Sequence, residues 1–194
     1  MLLKQIRQVV EIKLKSDPIR LAHTLRVYRT ATKMARYYRK SIVPIQIAAL
    51  FHDYTKNDSL EQQKPYLTTA SMVKYQNTPS IFHALSATNF LKKELEVHDK
   101  VILNAIKKHV WGHKTMNYAD KIVFLSDKIE PGREYPQQKY FETLAYRNIH
   151  QAVYEMLNYN FNDFLKKGVP LPADYKVILT SLKDDIKMKN KHIL

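Results

Sequence analysis

The chain contains no cysteine. Disulfides and thiolate metal sites are therefore excluded, and any metal must be held by histidine, carboxylate or water. The same absence suits a reducing cytoplasm, which is the expected location. Only three glycines interrupt the 194 residues, and long segments repeat at helical spacing, so the expected fold is all-α. No apolar run approaches the ~18 residues that a membrane span needs. The N-terminal stretch MLLKQIRQVVEIKLK alternates Lys and Arg with apolar residues, without the unbroken apolar region or small-residue cleavage site of a signal peptide. Acidic residues are also scarce, 18 against 32 Lys and Arg, for a formal charge of +14. Such an excess raises nucleic acid or an anionic membrane as partners. The basic residues are spread, however, with concentrations at Lys33–Lys40, Lys92–Lys93, Lys107–Lys108 and Lys183–Lys191. That distribution describes a solvated surface, or a field that attracts an anionic small molecule, better than a nucleic-acid groove.

What is present fits one domain spanning residues 1–194, with enough apolar residues for a sizeable core. Helices are predicted over about 1–15, 18–39, 44–55, 81–96, 100–110, 118–129, 137–146, 149–167 and 173–190, the last of them basic. Ser16-Asp17-Pro18 is a start signal, a cap residue followed by a proline that lacks only an unneeded N–H. Leu21, Leu25, Tyr28 and Ala35 form the predicted inward face of the second helix, with His23 beside it. Ser59 and Gln62 form a capping-box pattern, and Ser80, Asp99, Asn117 and Asn148 are further predicted caps. Residues 66–79 carry a weaker pattern.

The stretch Pro44–Lys56, PIQIAALFHDYTK, stands apart. A helix apolar on nearly every side belongs in a domain interior. Ending it with His52 and Asp53 costs desolvation unless something pairs or binds them. The dipeptide alone is weak, because it recurs at His98-Asp99, where Asp99 is explained as a helix cap. The combination says more. His23, His52, Asp53, His83, His109 and Asp127 lie on five predicted helices, several on or beside core-facing stripes. A helical bundle brings such residues together, as bundle metal sites require. Imidazoles and carboxylates without thiols suit iron, manganese, zinc or nickel, and six are more than one ion needs. His98, His113, His150 and His192 are expected to have no part in the site, although His113, in the loop after His109, is placed to touch a substrate.

The order H…HD…H…H…D resembles that of the HD-domain metal-dependent phosphohydrolases. More narrowly, RLAHTLRV, AALFHDYTK, IFHALSA, ILNAIKKHVWG and KIVFLSDKIEPGR, between about residues 16 and 165, resemble the YqeK-type family of bacterial symmetrical dinucleoside-tetraphosphate hydrolases. The resemblance implies an HD-domain helical bundle with a metal site in its interior. It implies one ion held by His23, His52, Asp53 and Asp127, and a second by His83 and His109 with Asp53 bridging, both most simply iron. Lys56 and Arg133 match positions near the phosphates. Ala84, Val110, Trp111, Ser126 and Lys128 depart from the family pattern, and Trp111 and Lys128 bear on the fit to substrate.

The expected substrate is diadenosine tetraphosphate, cleaved to two ADP by hydroxide bridging the two ions. Lys56, four positions after His52, would reach the site along a continuing helix, and Arg133 would grip a phosphate oxygen after the Pro131-Gly132 turn. Tyr54, Trp111 and Tyr135 are candidates for stacking on adenine. Another nucleotide, such as a nucleoside monophosphate, is the alternative substrate. A non-catalytic basic module that binds RNA or a protein partner is the alternative of a different class, and self-association as a homodimer is left open.

Overall fold

The computed structural model describes residues 2–191, and side chains as far as residue 187. His192, expected to have no part in the site, lies outside the described residues. Among those described the chain is helical, with no strand. It opens with α1 (Leu2–Lys13), which buries Ile6 and Val10. Asp17 then caps α2 (Pro18–Tyr37), its carboxylate accepting from the Arg20 N–H. The buried line of α2 runs through His23, Val27, Ala31 and Met34, whereas Leu21, Leu25 and Tyr28 are only half-buried at its border. The inward face is thus rotated from the predicted one, and it carries His23 with it.

Helix α3 (Ile42–Phe51) is the post around which the others stand. Every residue from Ile45 to Phe51 is buried, and the helix packs against α1 and α2 and, further along the chain, against residues 100–108 and 118–129. It ends at Phe51, four residues before the predicted end. His52 is its C-terminal cap residue, and three tight turns follow, closed by Tyr54 N–H to Phe51 C=O, Lys56 N–H to Asp53 C=O and Asp58 N–H to Thr55 C=O. The Thr55 hydroxyl donates to the His83 carbonyl at 2.8 Å and meets Ser86 at 2.7 Å. This sideways tether replaces the helical ladder.

The capping box at Ser59 and Gln62 starts α4 (Leu60–Gln63). A second capping box, Thr68 with Ser71, starts α5 (Thr69–Lys74) inside the segment of weak pattern. Ser80 does not cap the next helix. Pro79–Ile81 forms a 3-10 turn, so α6 (Phe82–Glu94) begins two residues later, with Ile81 before it and no side-chain cap. Asp99 caps α7 (Lys100–Lys108) by accepting from the Val101 N–H, and the left-handed Gly112 (φ +66°) turns the chain back after it.

Asn117 and Asp120 form the capping box of α8 (Tyr118–Ile129), which is buried at ten of its twelve positions. Then follow α9 (Gln138–Arg147), α10 (Ile149–Lys166), capped by Asn148, and α11 (Tyr175–Lys191). Helices α2, α3, α7 and α8 pack on one another in the interior, and α6 closes on α7. No helix among the described residues is long and apolar enough to cross a membrane.

Candidate metal centre

His23 projects from α2, His52 and Asp53 follow the end of α3, His83 opens α6, His109 follows α7, and Asp127 lies in the last turn of α8. All six are buried, and they converge. Three overlapping groups bring candidate ligand atoms within 4.8 Å of one another: His23, His52 and Asp53; His52, His109 and Asp127; and Asp53, His83 and His109. Asp53 divides its oxygens between the two sides. Its Oδ2 lies 3.9 Å from His23 Nε2 and 3.7 Å from His52 Nε2. Its Oδ1 lies 3.2 Å from His83 Nε2 and 3.5 Å from His109 Nε2. The twin pair His98-Asp99 is exposed and remote from the cluster, with Asp99 engaged as a cap.

Hydrogen bonds on the outer side of the rings decide what faces inward. His52 Nδ1–H donates to the Ala49 carbonyl at 2.8 Å and His109 Nδ1–H to the Ile106 carbonyl at 2.7 Å. His23 Nδ1–H donates to Glu130 Oε1 at 3.0 Å. Each ring therefore turns an unprotonated Nε2 toward the cluster, the tautomer required of a metal ligand. His52 Nε2 is buried with no hydrogen-bond partner among the described residues, which is costly for a polar atom. His23 Nε2 faces Asp127 Oδ1 at 3.1 Å, and Arg133 Nη2 reaches both, 3.5 Å from the ring nitrogen and 2.5 Å from the carboxylate oxygen. Four imidazoles and two carboxylates so arranged fit a divalent cation.

His83 differs. Lys56 Nζ lies against both of its ring nitrogens, 3.2 Å from Nδ1 and 3.5 Å from Nε2, and the Nε2 is also beside Asp53 Oδ1. Use of that Nε2 as a ligand requires Lys56 to release the ring.

Electrostatics follow the same geometry. Burial by itself raises the Asp53 carboxyl, but His52, His109 and His83 more than reverse this and hold it well below the usual carboxylate range. Asp127 is likewise raised by burial and held well below that range by Lys128, His23, His52 and Arg133. Burial pushes His52 down to about 4, and it lowers His83 and His109 as well. In the unfolded chain these rings take up a proton near pH 6.5. Between that pH and about 4 the unfolded state therefore binds more protons than the folded one, and stability falls as pH falls through this window. Asp53 and Asp127 act in the same direction only at still lower pH. Chelator-treated protein is thus expected to melt at steadily lower temperature from pH 7 to pH 4.5; a flat melting temperature over that range contradicts the burial of neutral rings.

Three residues at the centre, Arg20, Arg26 and Glu130, were not singled out from the sequence. Arg20 donates to Asp53 Oδ2 at 2.7 Å. Glu130, 1% exposed, orients His23 and is itself held by Arg26 Nε at 2.5 Å and the Gly132 N–H at 2.6 Å. Gly132 leaves room for the Arg26 guanidinium, which any Cβ there would push aside. The signal is helical spacing: Arg20, His23 and Arg26 stand three apart on α2, as do Asp127 and Glu130 at the end of α8.

A cavity of about 470 Å³ opens beside the cluster, lined in part by Lys56, Trp111, Lys128, Arg133, Tyr135 and Tyr159. Arg133 donates to the Asp127 carbonyl at 2.7 Å and to Asp127 Oδ1 at 2.5 Å. Trp111 is buried against Phe164 and Tyr175, and its Nε1 has no hydrogen-bond partner among the described residues. Tyr54, by contrast, stacks on Phe51 at 4.2 Å in the core, which removes it as a platform for a base. His113 bonds to Thr115 and is not among the residues lining the cavity. A groove of about 550 Å³ between α1 and the end of α6 contains none of the cluster residues.

A helical bundle that closes on an H…HD…H…H…D cluster defines a class, and comparison agrees with it. The HD domain model matches residues 20–132, and the chain belongs to the HD domain family. It is similar to two bacterial proteins named symmetrical bis(5'-nucleosyl)-tetraphosphatase. The protein of Bacillus subtilis is 29% identical over 157 residues, 80% of this chain and 84% of that one. The protein of Halalkalibacterium halodurans is 30% identical over 159 residues, with the same coverage. The fold matches a crystal structure from Clostridium acetobutylicum, described as a predicted HD superfamily hydrolase involved in NAD metabolism, with a TM-score of 0.84 at 24% identity, over 94% of this chain and 97% of that one.

Proposed function

We propose that this protein is a metal-dependent hydrolase that cleaves diadenosine tetraphosphate symmetrically to two ADP, acting as a single domain in the cytoplasm. The observation that carries the reading is Asp53, with one oxygen toward His23 and His52 and the other toward His83 and His109. The names of the relatives supply the substrate. His23, His52, Asp53 and Asp127 would hold one divalent ion, and His83, His109 and Asp53 a second, with iron the first choice and manganese, zinc or nickel the others. Two such ions lower the pKa of water and neutralise phosphate oxygens as charge develops.

The chain's own groups do the rest. Burial lowers the Lys56 ammonium, with Lys128 adding to this and Asp53 opposing it. Once free of His83, Lys56 is a donor to a phosphate oxygen at the junction of cluster and cavity. Arg133 keeps its Nε on the Asp127 carbonyl and one Nη on Asp127 Oδ1, which fixes the guanidinium plane and leaves the other Nη as a donor for a phosphate oxygen. Trp111 and Tyr135 give the cavity the aromatic surface that a purine needs.

The test is to purify the protein, measure bound metal, and separate the products formed from diadenosine tetraphosphate and, in parallel, from nucleoside monophosphates. ADP alone is the expected product of the first substrate. ATP plus AMP refutes symmetrical cleavage, and faster turnover of monophosphates selects the alternative substrate. Protein that stays inactive after iron or manganese is supplied removes the enzyme reading and leaves the basic binding module.

A further inference from the structure

Lys128 follows Asp127 directly on α8, and consecutive helical residues do not face one another. The Lys128 side chain nevertheless curls back, its Nζ 5.7 Å from the centre of the Phe124 ring and 2.7 Å from Asp127 Oδ2. A lysine at the end of a helix ordinarily carries its ammonium out to water. This one is 23% exposed and forms part of the cavity wall, with Lys56 and Arg133. Its charge is felt at Lys56, whose ammonium it depresses.

The sign of charge in that wall is lopsided. Lys56, Lys128, Arg133 and Lys167 line the cavity, against the single carboxylate of Asp163, which is already paired with Lys167 at 2.8 Å. Lys128 and Arg133 both lean on Asp127. A carboxylate that also serves a divalent cation has less negative charge to offer an ammonium, so its hold on Lys128 weakens. Lys128 shares the cavity wall with Lys56 and Arg133, so a phosphate chain that runs from a base in the cavity to the cluster comes within reach of the freed ammonium.

We propose that Lys128 is a phosphate grip for a nucleoside polyphosphate in this cavity: its ammonium rests on Asp127 and transfers to a phosphate oxygen of the bound molecule, so that its contribution to affinity comes through the phosphates and not through the nucleoside. This rests on the reading of the cavity as the nucleotide side of a hydrolase site. A charge-assisted hydrogen bond of this kind changes affinity by about ten- to hundredfold.

Titration calorimetry on the metal-loaded protein, with ADP and with adenosine as probes, tests it. Lys128→Met is expected to weaken ADP binding at least tenfold, to leave adenosine binding unchanged, and to flatten the salt dependence of ADP affinity. Lys128→Arg should restore most of the loss. Equal ADP affinity in Lys128→Met and wild type overturns the proposal, as does a parallel loss for adenosine. Loss of bound metal in Lys128→Met also overturns it, because the lysine would then serve Asp127 and not the ligand. If the wild type shows the expected ADP behaviour but leaves diadenosine tetraphosphate intact, the tetraphosphatase reading fails and the grip stands. Cleavage to ADP together with unchanged ADP affinity in Lys128→Met upholds the tetraphosphatase reading and removes the grip.

Discussion

Asp53→Asn is expected to reduce hydrolysis of diadenosine tetraphosphate about a thousandfold or more, equivalent to about 4 kcal/mol of barrier, and to strip the protein of metal. The substitution keeps the shape of the side chain and removes its charge. Asp53 offers one oxygen to each side of the cluster: His23 and His52 meet Oδ2, and His83 and His109 meet Oδ1. The fold should survive, because the partner left behind, Arg20, has a side chain 28% exposed and can turn to water, and burial keeps the His52, His83 and His109 rings neutral without help from a carboxylate. Far-UV circular dichroism, metal analysis and product assay on one preparation decide the matter. Retained metal with lost activity would contradict the bridging role, and lost helicity would make Asp53 a structural residue. Asp99→Ala, the same change at the twin dipeptide, removes only a helix cap, costing about 1 kcal/mol of stability, and should leave metal and turnover as in wild type.

The contrast between the two dipeptides marks how much was legible in the sequence. A polar pair at the end of an all-apolar helix has no local explanation, so burial could be inferred for His52-Asp53, whereas Asp99 has the local explanation that the structure bears out. The inward direction of His109 followed from its helical spacing after Ile102, Ala105 and Ile106 on α7. The face of α2 did not, because Leu21, Leu25 and Tyr28 made a better apolar stripe than the one that His23 occupies. Lys56 arrives at the cluster by a different route from the one that spacing implied. The helix stops at Phe51 and tight turns carry the lysine there, held by the Thr55 contacts with α6, which depend on tertiary structure. Tyr54 failed as a nucleobase candidate for a related reason: thirteen tyrosines look alike until packing assigns each of them. Arg20, Arg26 and Glu130 carry charges that surface residues carry equally often, and only their partners distinguish them.

Glu130 has the second largest expected effect among these, and it also explains why the segment SDKIEPGR holds together. Asp127 faces the cluster. One turn later Glu130 ends α8 and accepts from His23 Nδ1, which fixes the ring's tautomer and raises its strength as a ligand. Pro131 follows where the helix has already ended. Gly132 gives its N–H to Glu130 and leaves the space that the Arg26 guanidinium fills. Arg133 then returns to Asp127. Burial raises Glu130, but Arg26, His23 and the Gly132 N–H hold it below its ordinary value, so at neutral pH it stays a carboxylate able to accept from all three. Glu130→Gln supplies one uncharged acceptor in place of two charged ones. Affinity for metal at the His23 side should drop about 10- to 100-fold, read by competition with a chelator of known strength, with turnover recovering as metal is raised. Gly132→Ala should reproduce a weaker form of the same defect, since the added Cβ displaces the flexible end of Arg26 and leaves Glu130 in place. The two effects should not add when combined, because both act through the hold on one imidazole. Metal affinity unchanged in Glu130→Gln, or full additivity in the double variant, would show that His23 is oriented by something other than this carboxylate.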